Sequence, residues 1–278
     1  MFSRFTGAAV RAFLVMVLVA IPSVILPGMG TDGRQMVALV ALFLGVLTFV
    51  EYNATYPGLV EFRDAPPYNR VRFLMLLSTV FVLSMMQNSP AEPSTARLLF
   101  EALGILIGQS FDFPYSPVRL ARLVLADPLQ PEQGLAVRNA AAAAYLISLV
   151  ALAIFVMLLR LYRWPAQNGA FNVWVNLPTF EPTVGGDVVA RLERDARVNL
   201  VLGFLLPFLI PAVVKLGGLG LGTLDLGSPQ SLVWVMTAWA FLPASLCMRG
   251  IAMGRIAGMI REKRERGQEP SAAGYLPA

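Results

Sequence analysis

Apolar residues in this chain gather into long runs that short polar segments separate. The runs lie near residues 10–27, 35–51, 71–87, 140–161, 198–214 and 231–248. With its flanking residues, each run is close to the roughly 17 to 20 residues that an α-helix needs to cross the hydrocarbon core of a membrane. The pattern therefore predicts an all-α fold, a polytopic membrane helix bundle with about six transmembrane helices in a single membrane domain, 1–278.

The first apolar run could instead be read as a secretory signal peptide, because Arg4 and Arg11 flank its start. Its apolar core is long, however, and the sequence PGMGTDG after it has no clear A-x-A cleavage site. We therefore expect a spanning helix here.

The overall composition agrees with a membrane protein. Hydrophobic residues make up 56% of the 278 residues, charged residues only 14%, and the mean hydropathy is +0.65. Soluble domains carry roughly 25% charged residues. The lipid bilayer is therefore an expected partner of this chain.

The positive residues predict the orientation, because Lys and Arg are enriched in cytoplasmic loops. If six helices span and both termini are cytoplasmic, 16 of the 22 Lys and Arg residues lie inside and 6 lie outside. The cytoplasmic parts then include a loop at 163–197 and a basic tail at 249–278. A bias toward Arg over Lys, with many Ala, Gly and Leu residues, is typical of GC-rich bacterial genomes, so we expect the bacterial inner membrane.

The outer segment, residues 88–138, contains a short apolar stretch at 98–111 that could be a seventh span. That topology would leave 9 positive residues inside and 13 outside, and the stretch is short and carries Glu101. We expect a re-entrant or interfacial helix instead, paired with a second short helix near 118–127. In an eight-span alternative, both short helices cross the membrane. It leaves both termini on the same side, but it brings two arginines into or near the membrane.

Several kinds of chemistry are excluded by composition. The chain has no histidine and one cysteine, Cys247, which rules out His-ligated haem, zinc sites of the H-E-x-x-H type, Ser-His-Asp triads and an intrachain disulfide. The phosphate-loop and G-x-S-x-G motifs are also absent. We predict a non-enzymatic protein with no cofactor, no metal site and no catalytic residue.

Glycines spaced four apart indicate close helix packing. Gly250, Gly254 and Gly258 lie on one face of the last helix, and Gly104 and Gly108 form a second pair of this kind. Small residues at such spacing let another helix approach closely.

The basic tail that follows the last span carries six positive residues from 249 onward. Such a segment is attracted to anionic lipid headgroups of the cytoplasmic leaflet. Since the topology already accounts for the positive charge, we do not expect nucleic acid as a partner.

Two cytoplasmic segments are candidate docking surfaces for a membrane-protein partner or a second copy of the chain. The turn at 51–73 contains three prolines and alternating charges, which predicts an ordered structure. In the 163–197 loop, FNVWVNL alternates as a strand or membrane-surface segment does, and Asp187 is a good N-cap for an amphipathic helix. The candidate partner-facing residues are Arg63, Asp64, Trp174, Arg191 and Arg194.

These observations favour an accessory, assembly or scaffold subunit of an inner-membrane complex. The alternative is a small-solute or ion transporter that uses the candidate intramembrane carboxylates Glu51 and Glu101. A third hypothesis, an enzyme acting on lipid, would have to use Glu51, Glu61 and Asp64, but carboxylates among arginines more often form ion pairs.

Overall fold

The computed structural model of the protein describes residues 2–88, 94–126, 130–162, 164, 176–180, 185–221 and 226–272. This part of the chain is helical and contains no β-strand. Its eight helices are α1 (Phe2–Ile25), α2 (Thr31–Asn53), α3 (Tyr68–Gln87), α4 (Thr95–Phe111), α5 (Pro117–Leu125), α6 (Pro131–Leu161), α7 (Val188–Leu221) and α8 (Pro229–Ala272).

Six of these helices, α1, α2, α3, α6, α7 and α8, are long and apolar enough to cross a membrane. They coincide with the six apolar runs, so the prediction of a multi-pass helical membrane protein is confirmed. The remaining two, α4 and α5, have 17 and 9 residues and fall in the segment where a short helix pair was expected. Ser94 and Ser116 cap them by accepting backbone N–H groups, as short polar residues at helix starts commonly do.

Helix α6 lies at the centre of the bundle. It packs against α3, α4, α5 and α8, and its five consecutive alanines, 140–144, are all buried. A stretch of helix that is surrounded on all sides must be apolar all round, and the alanine side chains of this stretch leave its neighbours room to approach. Around this stretch, Val80, Leu83, Val233 and Trp239 complete a core shared by three spanning helices.

Helices α7 and α8 form the most extensive helix pair, and glycines on both sides permit it. A Cβ atom placed on Gly250 would lie 2.7 Å from the carbonyl oxygen of Ala196, and one on Gly203 would lie 2.7 Å from that of Pro243. Both distances are shorter than real contacts, and backbone atoms cannot rotate away as side chains can. At each of these two points, the absence of a side chain on one helix lets the backbone of the other helix approach closely.

Helix α7 continues through two prolines without ending. Pro211 has no N–H and so leaves the carbonyl of Pro207, four residues earlier, without its helical partner. The indole N–H of Trp239 on α8 donates to this carbonyl over 2.9 Å. A neighbouring helix thus satisfies the freed acceptor, as burial in an apolar environment requires.

The α7–α8 pair extends beyond the length that a membrane requires. Helix α8 has 44 residues, or about 66 Å at 1.5 Å per residue, whereas about 20 residues suffice for one crossing. We call residues 188–198 of α7 and 250–266 of α8 the stalk. Leu192, Met253 and Ile256 of the stalk are buried in one core cluster together with Phe62 and Tyr68, so the stalk shares the core of the bundle.

Helix α2 lies at the edge of the bundle and packs mainly on α1. Gly45 faces Met16 of α1, while most of the apolar side chains of α2 are exposed. An exposed apolar helix surface is expected where lipid is the solvent.

The segment FNVWVNL, predicted as a strand or a membrane-surface segment, falls almost wholly outside the described residues, since 165–175, including Trp174, are not among them.

Candidate functional site

The most connected group of polar side chains lies at the end of the bundle where α1, α3 and α7 begin. We call this the arginine-rich end. Arg249 of α8 forms a bidentate ion pair with Glu61 from the turn between α2 and α3: Nε lies 2.7 Å from Oε2, and Nη2 lies 2.9 Å from Oε1. The side chains are only 25% and 13% exposed, respectively. We call this pair the clamp, because it holds the turn against α8.

Three further side chains complete the clamp. The Thr179 hydroxyl donates to Oε1 of Glu61 over 2.7 Å, and Arg249 also donates to the side-chain oxygen of Asn199 on α7 over 3.3 Å. The amide of Asn69 on α3 donates to the backbone carbonyl of Glu61 over 2.7 Å. The clamp therefore joins the turn, α3, α7, α8 and the segment around Thr179.

The clamp also controls the ionisation of Glu61. Burial by itself would raise the pKa of this carboxyl, but the hydrogen bonds from Arg249 and Thr179 and the positive charge of Arg249 together hold the pKa below its ordinary value. The carboxylate is therefore charged at neutral pH, as a bidentate partner of arginine must be.

A second contact fixes the same turn. The backbone N–H of Phe62 donates to the Asn176 carbonyl over 2.7 Å, and the N–H of Asp64 donates to the Asn176 side chain over 3.1 Å. Phe62 itself is 1% exposed and packs against Tyr68 and Trp164. Phe62 thus anchors the turn in the core, and these contacts agree with the ordered structure that the prolines predicted.

Two residues that were singled out in the sequence, Glu51 and Arg63, hold the backbone of the turn by hydrogen bonds. The carboxylate of Glu51, at the end of α2, accepts the backbone N–H groups of Gly58, Leu59 and Val60 at 2.9 to 3.1 Å. Arg63 donates to backbone carbonyls at the same helix end, including that of Ala54. Both charges therefore support the backbone of the turn.

The candidate partner-facing residues differ in their exposure. Arg63 is 5% exposed, whereas its ion-pair partner Asp64 is 55% exposed. Arg191 stacks on the ring of Phe180 at 4.8 Å, and Arg194 is 68% exposed beside Asp195. Among the described members of this set, Asp64 and Arg194 are thus the side chains that a partner could reach without disturbing the fold.

The predicted N-cap at the start of α7 is confirmed. The carboxylate of Asp187 accepts the backbone N–H groups of Val189 and Ala190. It also accepts a hydrogen bond from Arg264 of α8, and this bond in the first place holds the pKa of Asp187 below its ordinary value. Glu193 pairs with Arg261 in the same way, so two ion pairs tie the helices of the stalk together.

The glycine row of α8 does not act as one unit. Gly250 is in close contact with α7, a Cβ on Gly254 would lie 3.9 Å from that of Ala196, and a Cβ on Gly258 would meet nothing within 4 Å. In α4, Gly104 faces Met86 of α3, and Gly108 faces Asn139 and Arg138 of α6. That pair lets α4 pack against both helices.

Charges near the short helices pair with one another. Glu101 lies 3.5 Å from Arg97, one helical turn earlier, and is 46% exposed. Asp112, just after α4, pairs with Arg122 of α5. Glu101 and Glu51 lie toward opposite ends of the bundle, because α2 ends at the turn and α4 follows the far end of α3.

Sequence reasoning did not anticipate the clamp. Glu61 and Arg249 are 188 positions apart, and each looks like an ordinary charge next to an apolar run. One signal was present, since Arg249 directly follows the last apolar run and would need a partner if the helix continued inside the protein.

Among the described residues there is no group of three or more His, Cys, Asp and Glu that could hold a metal ion. Comparisons with family models, with characterised proteins and with solved structures give no significant match.

Proposed function

We propose that this chain is a non-enzymatic protein of the bacterial inner membrane that serves as an accessory, assembly or scaffold subunit of a larger membrane complex. Both termini lie in the cytoplasm, and the arginine-rich end is then the cytoplasmic face. The basic tail lies against anionic lipid headgroups, and no nucleic acid is involved.

The clamp is the observation that carries this proposal. One ion pair and several hydrogen bonds join five chain segments, from positions up to 188 residues apart, at this end of the bundle. A preorganised surface binds a partner with less loss of conformational entropy than flexible loops do. A concentration of polar contacts at one end of a membrane bundle is suited to the docking of a partner protein.

The stalk supports the same proposal. Its two helices are held together by buried apolar residues and two ion pairs. A pair of helices held together in this way offers a partner a firm surface. Arg194, exposed on the stalk, is the natural residue for contact with an acidic partner.

The transporter alternative has less support. Glu51 already accepts three backbone N–H groups, and Glu101 is half exposed beside Arg97. A coupling carboxylate has to be free to exchange protons or cations along a shared pathway, and no observation here favours that role for either residue.

The proposal is tested by purifying the tagged protein from its native membranes in a mild detergent. We expect a partner at defined stoichiometry on native gels, and we expect Arg194→Glu to reduce its recovery strongly. Arg34→Glu is the matched control, because Arg34 is also exposed but lies at the start of α2, at the other end of the bundle. Recovery only as a lone chain that conducts a solute in liposomes would refute the proposal.

A further inference from the structure

A cleft of about 700 Å³ opens between α1, α2 and α3 at the arginine-rich end. One face of α1 forms one wall, and the last turn of α2, the following turn and the start of α3 form the others. The volume falls in the range of about 300 to 1,000 Å³ that is typical of ligand sites. It exists because α2 packs on α1 and makes little contact with α3.

The mouth of the cleft is strongly positive. Arg11, Arg63 and Arg70 all contribute to its lining, and no carboxylate does so. Arg63 is already engaged by Asp64 and by backbone carbonyls. Arg11 and Arg70 are exposed, and within the described residues neither has a carboxylate partner. Two positive charges therefore remain available to a ligand.

Arg11 is held in position for this role. Its Nη1 donates to the carbonyl of Gly7 over 2.8 Å, and its guanidinium lies 4.6 Å from the centre of the Tyr52 ring. A Cβ atom on Gly7 would lie 2.9 Å from Nη1, so the absence of a side chain there lets the guanidinium fold back. The charge is thus presented with little rotamer entropy left to lose.

The interior of the cleft is apolar. Its lining includes Val10, Leu14 and Val15 of α1 and Phe73 of α3. A cavity with a basic mouth and an apolar interior matches an amphipathic anion, and basic pockets between spanning helices are suited to anionic headgroups.

We propose that this cleft is a binding site for one anionic phospholipid, whose phosphate lies at Arg11 and Arg70 and whose acyl chain packs along Leu14 and Phe73. The site is separate from the basic tail and does not depend on the proposed function. It would anchor the α1–α2 hairpin to the rest of the bundle through a lipid.

The proposal is tested on the purified full-length protein in nanodiscs made from phosphatidylcholine with a small fraction of fluorescent phosphatidylglycerol or fluorescent phosphatidylcholine. We expect the wild type to bind the anionic probe in preference to the zwitterionic one. Arg11→Gln and Arg70→Gln should each weaken that binding about fivefold, the amount that one basic residue near an anionic headgroup contributes. Arg34→Gln, at the other end of α2, should leave it unchanged.

A second variant separates the cleft from the tail. Leu14→Trp fills the cleft while leaving every arginine in place, and it should abolish the preference for the anionic probe. Val24→Trp adds the same side chain at a position of α1 that is 80% exposed, and it should have no effect.

Equal binding of both probes by the wild type, or equal effects of Leu14→Trp and Val24→Trp, would overturn the proposal. Displacement of the probe by millimolar inorganic phosphate would also overturn it, since the site would then accept a soluble anion without an acyl chain. All variants alter exposed side chains, and size-exclusion chromatography verifies that each remains folded.

Discussion

Removing Arg249 should loosen the turn between α2 and α3 and destabilise the whole bundle. In Arg249→Gln, the Glu61 carboxylate, which is 13% exposed in the wild type, loses its ion-pair partner. Loss of one partner of a fully buried pair costs about 3 to 5 kcal/mol. Since both partners keep some contact with solvent, we expect about 2 to 3 kcal/mol for Arg249→Gln, and a similar loss for Glu61→Gln.

The losses of unfolding free energy caused by the two substitutions should not be additive. Once one charge is gone, removing the other also removes an unpaired buried charge, so the double variant should be more stable than the sum of the single losses predicts. We expect a coupling energy of about 1 to 2 kcal/mol. Unfolding by dodecyl sulfate in mixed micelles, followed by tryptophan fluorescence, measures these free energies.

An exposed ion pair on the same helix provides the control. Arg266 lies 3.5 Å from Glu262, and the side chains are 75% and 69% exposed. Arg266→Gln should change stability by less than about 0.5 kcal/mol. If Arg249→Gln costs no more than Arg266→Gln, or if the clamp variants are additive, the clamp does not hold the turn.

Three further outcomes follow from the contacts between helices and from the charge state of the clamp. Gly250→Ala should destabilise the bundle by about 1 to 3 kcal/mol, because the added Cβ meets backbone atoms of α7. Gly258→Ala should be neutral or stabilising, because alanine has a better helix propensity than glycine. The same unfolding assay compares the two variants. Trp239→Phe should cost about 1 kcal/mol by leaving the freed α7 carbonyl without a donor, while Trp234→Phe, which is only partly buried, should cost less, as measured by thermal unfolding in detergent. The stability that Glu61 contributes is fully present above its pKa in the unfolded chain, near 4.5, and is lost as pH falls through its lower pKa in the folded protein. The rate of proteolysis at residues 54–67 should therefore be constant from pH 5 to 8 and increase only under more acidic conditions.

The sequence was sufficient to predict the class of fold and the number of apolar spans. Burying the backbone of a membrane protein requires helices of a certain length, so six long apolar runs lead directly to six long helices. Local signals were also reliable, since Asp187 caps α7 through contacts only two and three residues away.

The glycine row of α8 shows a contact that the local sequence pattern cannot predict. Gly250, Gly254 and Gly258 have the same spacing and lie on one helix face, yet only Gly250 meets backbone atoms of α7 at close range. Which glycine is used depends on where two helices cross, and that crossing is set by side chains of both helices together. No single helix contains this information.

The clamp and the cleft were decided by tertiary structure alone. Glu61 and Arg249 meet because α2, α3, α7 and α8 are packed in one particular arrangement, and the cleft is open because α2 stays apart from α3. A long apolar run determines that a helix leaves water for lipid or for the protein interior. The free energy of that transfer depends on how much apolar surface leaves water, and it does not depend on which neighbour covers the surface. The choice of neighbours depends on shape and on paired charges, which only the assembled bundle brings within reach of one another.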